Sequence, residues 1–404
     1  MPAADRAGAG KLDVSDPLAA FRGRFEWPDP SFIYLDGNSL GMLPTAALAR
    51  AQHVVAQEWG QRLIQAWYTG WLRQPARVGD LLGEALLGAA PGQVVVADST
   101  TVNYYKLAAA ALDARPGRRV VVSAAADFPT DRYVLAGLAA ARGLELRLVE
   151  SAETTGLTVA DLAGAVDERT ALVALSHVDY RSAAVADLAG ITALAQSAGA
   201  LALWDLSHSA GTLPVGLDEA GVDLAVGCSY KYLNGGPGAP SFLYVRAVHQ
   251  AALRQPIWGW FGQRDQFDMG PVYDPVPDVH RFLVGTPPIL GLALVEEGVR
   301  LLAEAGLGRL RAKAIGLTSL LVDCYDDWLA PLGFGLASPR DPAGRGSHVS
   351  LTHPDGQRLR EELVRNGVVP DFRRPDRLRF GLAPLTTRYV DVWDAMDRLR
   401  TLAG

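Results

Sequence analysis

Two residues that could together hold an organic cofactor each follow an apolar segment of the chain. Asp205 ends the segment 200–205, and Lys231 lies just beyond the segment 224–229. If both segments are parallel strands of one open α/β sheet, both side chains lie at its carboxyl edge, where ligands bind. A carboxylate there can keep a pyridine nitrogen protonated, and a lysine can form an imine with an aldehyde. The pair suits pyridoxal 5′-phosphate (PLP), although in isolation a helix-capping Asp and a solvated lysine would look the same.

Other residues near this pair in sequence could complete such a cofactor site. His208 follows Asp205 by three positions, and the phenol of Tyr230 precedes Lys231. The segment DSTTVN (98–103) carries hydroxyl side chains where a strand gives way to a helix. A helix N terminus there could bind a phosphate, or the hydroxyls could simply cap the helix. Phe128 could stack on a flat ring or fill the edge of the core.

Short β-rich segments alternate with amphipathic, Ala- and Leu-rich segments from about residue 90 to 245. This alternation predicts βα units that build a mainly parallel sheet flanked by helices. We predict strands at 94–97, 118–124, 144–149, 170–176, 200–205, 224–229 and 241–245, and helices at 101–112, 131–142, 159–166 and 187–199.

The remainder of the chain has a different pattern. Residues 246–290 are rich in Gly, Pro and aromatic residues with little periodicity, so we expect functional loops there. Beyond them we predict helices at 288–304, 308–330 and 355–366 and strands at 348–353 and 378–384. We therefore divide the chain into an N-terminal segment (1–45) associated with the small domain and the active site, a large PLP-binding domain (46–290) and a small C-terminal α+β domain (291–404).

Composition limits the partners and the compartment. The 404 residues carry a net charge of −6, which leaves no basic surplus for nucleic acid. The first residues contain no apolar signal segment, and no apolar run is long enough to span a bilayer. The two cysteines, Cys228 and Cys324, form no CxxC motif, and the seven histidines form no recognised metal box. We expect a cytoplasmic protein that binds neither membranes nor a metal.

Several motifs, taken together, resemble those of the kynureninases, which belong to fold type I of the PLP-dependent enzymes, the aspartate-aminotransferase-like fold. The resemblance runs from about residue 20 to the C terminus. The motifs occur in the family's order: YLDGNSLG (34–41), DSTTVN (98–103), FPTD (128–131), DLSHSAG (205–211), CSYKYLNGGPG (228–238), GWFG (259–262) and FLVGTPPIL (282–290). It implies an α/β fold, with a mixed, mainly parallel sheet in the large domain.

The resemblance also implies roles for individual residues. Lys231 would carry PLP as an imine, Asp205 would pair with the pyridine nitrogen, and Tyr230 would act as the acid at Cβ. The implied cofactor-binding residues are Thr100, Thr101, Phe128, Asp131, Ser176, Asp205, His208, Tyr230, Lys231, Trp260 and Thr286. Trp260 and Thr286 would come from the second subunit of a homodimer. Asn38, Ser39 and Arg379 would bind the substrate, the arginine through the α-carboxylate.

The implied reaction is hydrolysis of the Cβ–Cγ bond of L-kynurenine, or of its 3-hydroxy derivative, to anthranilate (or 3-hydroxyanthranilate) and L-alanine. Such a hydrolase acts on carbon–carbon bonds in ketonic substrates and belongs to kynurenine and tryptophan metabolism. Thr286, in place of the Asn of animal members, favours kynurenine, and Gln263 replaces a His that is frequent in bacterial members.

Two other activities on the same fold remain open from the residues. A cysteine desulfurase or selenocysteine lyase needs a mobile nucleophilic cysteine, and Cys228 and Cys324 both fall in apolar segments. An aminotransferase would need an added keto acid. A nucleotide-binding oxidoreductase or P-loop protein lacks its motif here, because the chain has neither GxGxxG nor GxxxxGK[ST].

Overall fold

A computed structural model describes residues 5–29, 31–152 and 154–404 of the chain. Its strands form two separate sheets, one of seven strands and one of five. In chain order the strands are β1 (Ile33–Leu35), β2 (Val94–Val96), β3 (Val120–Ala124), β4 (Glu145–Val149), β5 (Thr170–Ser176), β6 (Leu201–Asp205), β7 (Leu224–Gly227), β8 (Phe242–Val245), β9 (Gly335–Leu336), β10 (His348–Thr352), β11 (Val368–Arg373) and β12 (Arg377–Gly381).

The helices lie between and around these strands. They are α1 (Arg6–Val14), α2 (Thr45–His53), α3 (Gln65–Thr69), α4 (Gln74–Leu82), α5 (Thr100–Asp113), α6 (Pro129–Arg142), α7 (Val159–Leu162), α8 (Leu188–Ser197), α9 (Ala247–Gln250), α10 (Ile289–Ala305), α11 (Leu307–Cys324), α12 (Gly356–Arg365) and α13 (Tyr389–Ala403). Among the described residues, no helix is both long and apolar enough to cross a bilayer.

The seven-stranded sheet has the order β2-β8-β7-β6-β5-β3-β4. Strands β7, β6, β5, β3 and β4 are parallel, whereas β8 runs antiparallel to both of its neighbours. Every residue of β2, β3, β6, β7 and β8 is buried, as expected for strands covered by helices on both faces. The predicted α/β fold with a mainly parallel mixed sheet is confirmed.

Local sequence signals explain where two of the helices begin and end. Asp187 caps α8, since its side chain accepts a hydrogen bond from the backbone N–H of Gly190 at 2.9 Å. Helix α6 begins at Pro129, whose fixed φ suits the first turn, and ends at Gly143 in the left-handed region (φ 61°). These two helices therefore start close to their predicted positions at the carboxyl side of the sheet.

The five-stranded sheet has the order β1-β11-β12-β10-β9. The N-terminal strand β1 pairs in parallel with β11, so a segment near residue 33 completes a sheet built otherwise from residues after 334. A core of its own lies between this sheet and helices α11, α12 and α13, and includes Leu317, Leu351, Leu363 and Met396. The exact domain boundaries at 45 and 290 stay a prediction.

Three predicted elements differ from the structure by three or more residues at one end, and the helices α1–α4 and α13 and the strands β1, β9 and β11 were not predicted. The helix predicted at 308–330 is α-helical only to Cys324 and continues as a π-helical turn from Tyr325 to Leu329. The helix predicted at 159–166 is only the four-residue α7. The last strand before α13, β12, ends at Gly381 rather than at residue 384. Residues 246–290 hold only short helical turns, as their composition predicted.

Candidate active site

A cavity of about 230 Å³ lies at the carboxyl edge of the seven-stranded sheet. It opens beyond the ends of β5 and β6, where Ser176 pairs with Asp205 in register, and beside the loop that follows β7. Nine residues predicted from the sequence line it: Thr100, Thr101, Phe128, Asp131, Ser176, Asp205, His208, Tyr230 and Lys231. The parallel strands thus bring together side chains that are spread over more than a hundred positions of the chain.

The amine of Lys231 lies beside an imidazole inside this cavity. Its Nζ is 3.3 Å from Nε2 of His208. Burial, followed by the nearby charges of Lys231, His348 and Arg379, lowers the pKa of His208 well below its usual value. His208 is therefore a neutral ring at neutral pH and can exchange a hydrogen bond with the lysine amine.

Two carboxyl groups face each other across the cavity from Lys231. Asp205 ends β6, and its Oδ1 accepts the backbone N–H of Ser207 at 2.7 Å. Asp131 lies in the first turn of α6, and its Oδ2 is buried with no hydrogen-bond partner among the described residues. Burial and the neighbouring Asp205 raise the pKa of Asp131 well above its ordinary value, while Lys231 acts in the opposite direction. This pair suits a cationic hydrogen-bond donor.

The N terminus of α5 supplies the end of the cavity that would take a phosphate. Ser99 is the cap, with its Oγ accepting the backbone N–H of Val102 at 3.4 Å, and Thr100 and Thr101 occupy the first turn. The two readings of DSTTVN are thus compatible, because Ser99 caps the helix while both threonine side chains line the cavity. Free N–H groups and hydroxyls at the start of a fourteen-residue helix suit a phosphate dianion.

These features fit PLP on three separate counts. Asp205, with the buried Asp131 carboxyl beside it, would meet a protonated pyridine nitrogen, the start of α5 would hold the phosphate, and the amine of Lys231 would reach the aldehyde carbon. Phe128, which is 40% exposed, leaves a ring face open at the cavity mouth. The donor set matches the cofactor that the sequence implies.

Tyr230 keeps its phenol proton in this environment. Burial is the main cause that raises its pKa, and the neighbouring thiol of Cys228 adds to the effect. A half-buried phenol that stays protonated at neutral pH can donate a proton but cannot act as a resting base. This protonation state agrees with the acid role that the sequence implies.

The residues implied in substrate binding lie together beside the cavity rather than in its lining. Arg379 is almost fully buried on β12, and its Nε donates to Oδ2 of Asp371 at 2.7 Å. Its Nη2 lies 3.5 Å from Oγ of Ser39. The amide of Asn38 is buried, and neither its oxygen nor its nitrogen has a partner among the described residues. Asn38, Ser39 and Arg379 therefore form one polar group at the junction of the two sheets.

Gly41 lies in the turn that carries Asn38 and Ser39, and it allows this turn to pack on the loop that carries Lys231. The backbone N–H of Gly41 donates to the carbonyl of Tyr230 at 2.8 Å. A Cβ at Gly41 would lie 2.8 Å from Cα of Asn234 and closer still to the carbonyl oxygen of Lys231. No side chain fits there unless one of the two segments moves.

We expect Gly41→Ala to weaken PLP binding and to lower the free energy of unfolding by about 1–3 kcal/mol, the usual cost of overpacking. Urea unfolding and a PLP dissociation constant from equilibrium dialysis measure both effects. Gly137→Ala in α6 is the matched control, because its Cβ would meet no atom within 4 Å. The control should be neutral or slightly stabilising. A Gly41→Ala protein as stable as this control would contradict the packing argument.

Trp260 and Thr286 do not line the cavity of their own chain. Trp260 packs edge-on against Phe261, with ring centroids 4.6 Å apart, and Thr286 is exposed. Gly259 is pressed against the backbone of Val284, since a Cβ there would overlap the carbonyl of that residue. The two loops that carry Trp260 and Thr286 are thus held side by side.

Some residues that line the cavity were not identified from the sequence. They are Ser99, Thr130, Val178, Tyr180 and Ser207. Asp127 lies next to the lining residue Ser176, and its Oδ1 accepts the backbone N–H of Ser176 at 3.1 Å. Burial raises the pKa of Asp127 to about 6. Ser99, Thr130 and Ser207 lie in the motifs DSTTVN, FPTD and DLSHSAG. Their position beside predicted site residues could have identified them as cavity residues. Val178, Tyr180 and Asp127 belong to no such pattern.

Both cysteines are unsuited to nucleophilic chemistry. Cys228 and Cys324 are free and buried. Burial raises the pKa of the Cys228 thiol and raises that of Cys324 to about 12. Each therefore stays a thiol at neutral pH, and neither lines the cavity.

Two family profiles match most of the chain. The class-V aminotransferase profile matches residues 33–329, and the kynureninase C-terminal domain profile matches residues 310–399. Together they span both sheets.

Curated kynureninases are similar to this chain over nearly their whole length. A kynureninase of Burkholderia pseudomallei (strain K96243) is 46% identical over 404 residues, which cover 98% of this chain and 95% of the relative. A kynureninase of Pseudomonas fluorescens is 45% identical over 395 residues, with 96% and 93% covered.

Solved structures with lower identity share the fold. The apo cysteine desulfurase from Thermococcus onnurineus NA1 superposes with a TM-score of 0.80 at 18% identity, covering 92% of this chain and 94% of that one. A mutant of C-DES with glycine covalently linked to its PLP cofactor gives a TM-score of 0.78 at 21% identity, covering 92% and 97%. At such identities the likeness concerns the fold alone.

Proposed function

Because the chain belongs to the kynureninase family, we propose that it hydrolyses the Cβ–Cγ bond of L-kynurenine to anthranilate and L-alanine, with PLP held at Lys231. The observation that carries this proposal is the cavity in which the Lys231 amine, the Asp131–Asp205 pair and the start of α5 surround one space of about 230 Å³. The 3-hydroxy derivative is a second candidate substrate for the same cavity. A desulfurase activity is not favoured, since both thiols are buried and stay protonated.

PLP, when bound, would supply an electron sink that stabilises negative charge at Cα and Cβ of the substrate. The protein supplies the rest. Asp205 keeps the pyridine nitrogen protonated, and Thr100 and Thr101 hold the phosphate. The Lys231 amine takes the proton from Cα and gives a proton back to Cα before alanine leaves, and the neutral His208 ring at 3.3 Å gives that amine a hydrogen-bond partner. One water is consumed as the aryl ketone is cleaved to a carboxylic acid.

The remaining residues orient the substrate and complete the proton transfers. Arg379 binds the α-carboxylate through its fork of N–H groups once the substrate enters, with Asn38 and Ser39 beside it. Tyr230 gives a proton to Cβ as the Cβ–Cγ bond breaks, so that the three-carbon half leaves as alanine. Its raised pKa keeps that proton available at neutral pH.

The direct test is to incubate the purified protein and PLP separately with kynurenine and 3-hydroxykynurenine. We expect the aromatic acid and alanine to appear in equal amounts, without an added keto acid and with no release of sulfide from cysteine. Formation of an amino-group acceptor product in place of alanine would point to transamination. Absence of an aromatic acid from both substrates would refute the reaction while leaving PLP binding open.

We also propose that two chains form a homodimer with shared active sites. Large apolar side chains are exposed on the segment 54–69 and on the Trp260 loop, among them Trp59, Ile64, Tyr68 and Trp258. Exposed apolar surfaces of this kind mark interfaces. Trp260 and Thr286, which lie away from the cavity of their own chain, would then reach the phosphate in the partner.

Subunit complementation tests this sharing. A Lys231→Ala chain and a Trp260→Ala/Thr286→Ala chain should each be nearly inactive as homodimers. Refolding them together should restore about a quarter of the wild-type activity, because half the dimers are mixed and each mixed dimer has one intact site. If Trp260 and Thr286 served their own chain, every site in the mixture would lack one of the required groups, and no activity would return.

The cytoplasm is the proposed compartment. Both cysteines are unpaired, as is usual where thiols are kept reduced. Fractionation of producing cells, with activity followed in each fraction, tests this placement.

A further inference from the structure

A hairpin loop after β5 connects the cavity to the five-stranded sheet. Val178 and Val185 form an antiparallel bridge that closes this loop, which we call the Tyr180 loop (residues 178–185). Val178 and Tyr180 line the cavity.

The backbone of the Tyr180 loop is bound to the other sheet by several hydrogen bonds. The carbonyl of Tyr180 accepts from Nη1 of Arg379 on β12, and the carbonyl of Arg181 accepts from Oγ of Ser350 on β10. Further contacts join the loop to the segment that leads into β10: Gly346 N–H to Ala183 O at 2.8 Å, Val185 N–H to Gly344 O at 3.0 Å, and a bridge between Ala184 and Arg345. The loop therefore moves with the sheet that carries Arg379.

The side chain of Tyr180 points the other way, to the wall of the cofactor cavity. Its ring meets the ring of Phe128 edge-on, with centroids 5.3 Å apart and planes at 88°. Edge-to-face pairs of this geometry are attractive and restrict the orientation of both rings. Phe128 directly precedes α6, so the contact also fixes the residue before the helix that carries Asp131.

We propose that Tyr180 is a positioning residue that sets the distance between the cofactor and the substrate α-carboxylate. Its ring holds Phe128 against the cofactor plane, and its carbonyl holds the guanidinium of Arg379. Because ring and carbonyl belong to one residue, the two contacts cannot drift apart. This inference rests on the proposed function for the role of Arg379, but the ring contact with Phe128 stands without it.

A double-mutant cycle on holoenzyme and on cofactor-free protein tests the inference. The variants are Tyr180→Leu, Phe128→Leu and the pair together, with Tyr180→Phe as the conservative variant and Tyr133→Leu, an exposed tyrosine on α6, as the matched control. The measurements are the PLP dissociation constant, and kcat and KM for kynurenine. Urea unfolding of each variant separates these effects from loss of fold.

We expect Tyr180→Leu to raise the PLP dissociation constant about 2- to 12-fold, the range of an aromatic pair. It should also raise KM for kynurenine by a larger factor than it lowers kcat, because the backbone of residue 180, whose carbonyl still accepts from Arg379, loses the anchor that the ring provides on Phe128 and holds Arg379 less firmly. Tyr180→Phe should restore both quantities, and Tyr133→Leu should change neither. In the Phe128→Leu background, Tyr180→Leu should raise the PLP dissociation constant by a smaller factor.

Equal factors for Tyr180→Leu in both backgrounds would overturn the ring coupling, and so would an impaired Tyr180→Phe. An unchanged KM in Tyr180→Leu would overturn the link to Arg379. If no protein, wild type included, cleaves kynurenine, the proposed reaction fails, and the PLP dissociation constants still decide the coupling between Tyr180 and Phe128.

Discussion

We expect the Lys231→Ala variant to lose kynurenine cleavage by about 10⁴-fold or more, on the scale seen when a group acts both covalently and as an acid–base catalyst. The visible absorbance of the imine between PLP and the protein should disappear together with turnover. The chain has four lysines, and two of them are buried in ion pairs: Lys106 with Asp98 at 2.7 Å and Lys313 with Asp16 at 2.6 Å. Lys231 is the lysine that lines the cavity.

The remaining lysine, Lys11, is exposed on α1 and provides the control. Lys11→Ala should keep both absorbance and turnover. Lys231→Arg separates charge from chemistry, because arginine keeps the positive charge near His208 but forms no imine and gives up no proton at neutral pH. A Lys231→Arg protein with substantial turnover would show that Lys231 acts only through its charge, against our proposal.

The Asp205→Asn variant should show the second-largest loss, about 10²–10⁴-fold in kcat/KM. Asparagine matches the shape of aspartate but lacks the charge that keeps a pyridine nitrogen protonated. The hydrogen bond from the backbone N–H of Ser207 at 2.7 Å can still form to the amide oxygen, so the fold should be kept. Steady-state kinetics together with the unfolding free energy measure the two quantities separately.

Asp131→Asn provides the comparison that assigns the roles of the two carboxyl groups. Burial and the neighbouring Asp205 raise the pKa of Asp131, so it holds its proton more readily than an ordinary aspartate. Asparagine resembles this protonated form, and we expect a much smaller loss than in Asp205→Asn. A larger loss in Asp131→Asn than in Asp205→Asn would reverse the assignment.

The strands that hold the site were predictable because burial on both faces leaves a simple pattern. Continuous apolar segments predicted six of the seven strands of the larger sheet, and with them the position of Asp205 at a strand end, whereas the edge strand β4 alternates apolar residues with Glu145 and Arg147. The short strands β1 and β9 offered no such pattern. They are two or three residues long, and partner strands distant in sequence stabilise them rather than their own composition.

The contacts between distant segments could not be predicted from local sequence. The motifs DSTTVN and FPTD each indicated a strand-to-helix junction. Neither motif predicts that the Asp131 carboxyl lies next to Asp205. Tyr180 stands in a loop without any recognised pattern, and its contacts with Phe128 and Arg379 arise only when two sheets meet. The resemblance identified residues that the cofactor and the substrate would contact. The structure adds residues such as Tyr180, which contacts two of those residues, Phe128 and Arg379.

The pairing of β1 with β11 has a consequence for how the chain folds. β1 and the turn that follows it, with Asn38 and Gly41, are synthesised more than 300 residues before β11 and β12. The turn therefore has no partner sheet on the ribosome until β11 has been made. Contacts of such long sequence separation form slowly and leave intermediates exposed. The group of Asn38, Ser39 and Arg379 is thus assembled after the cofactor cavity, and a chain that stops before β11 would lack this group beside a cavity whose lining residues are all present.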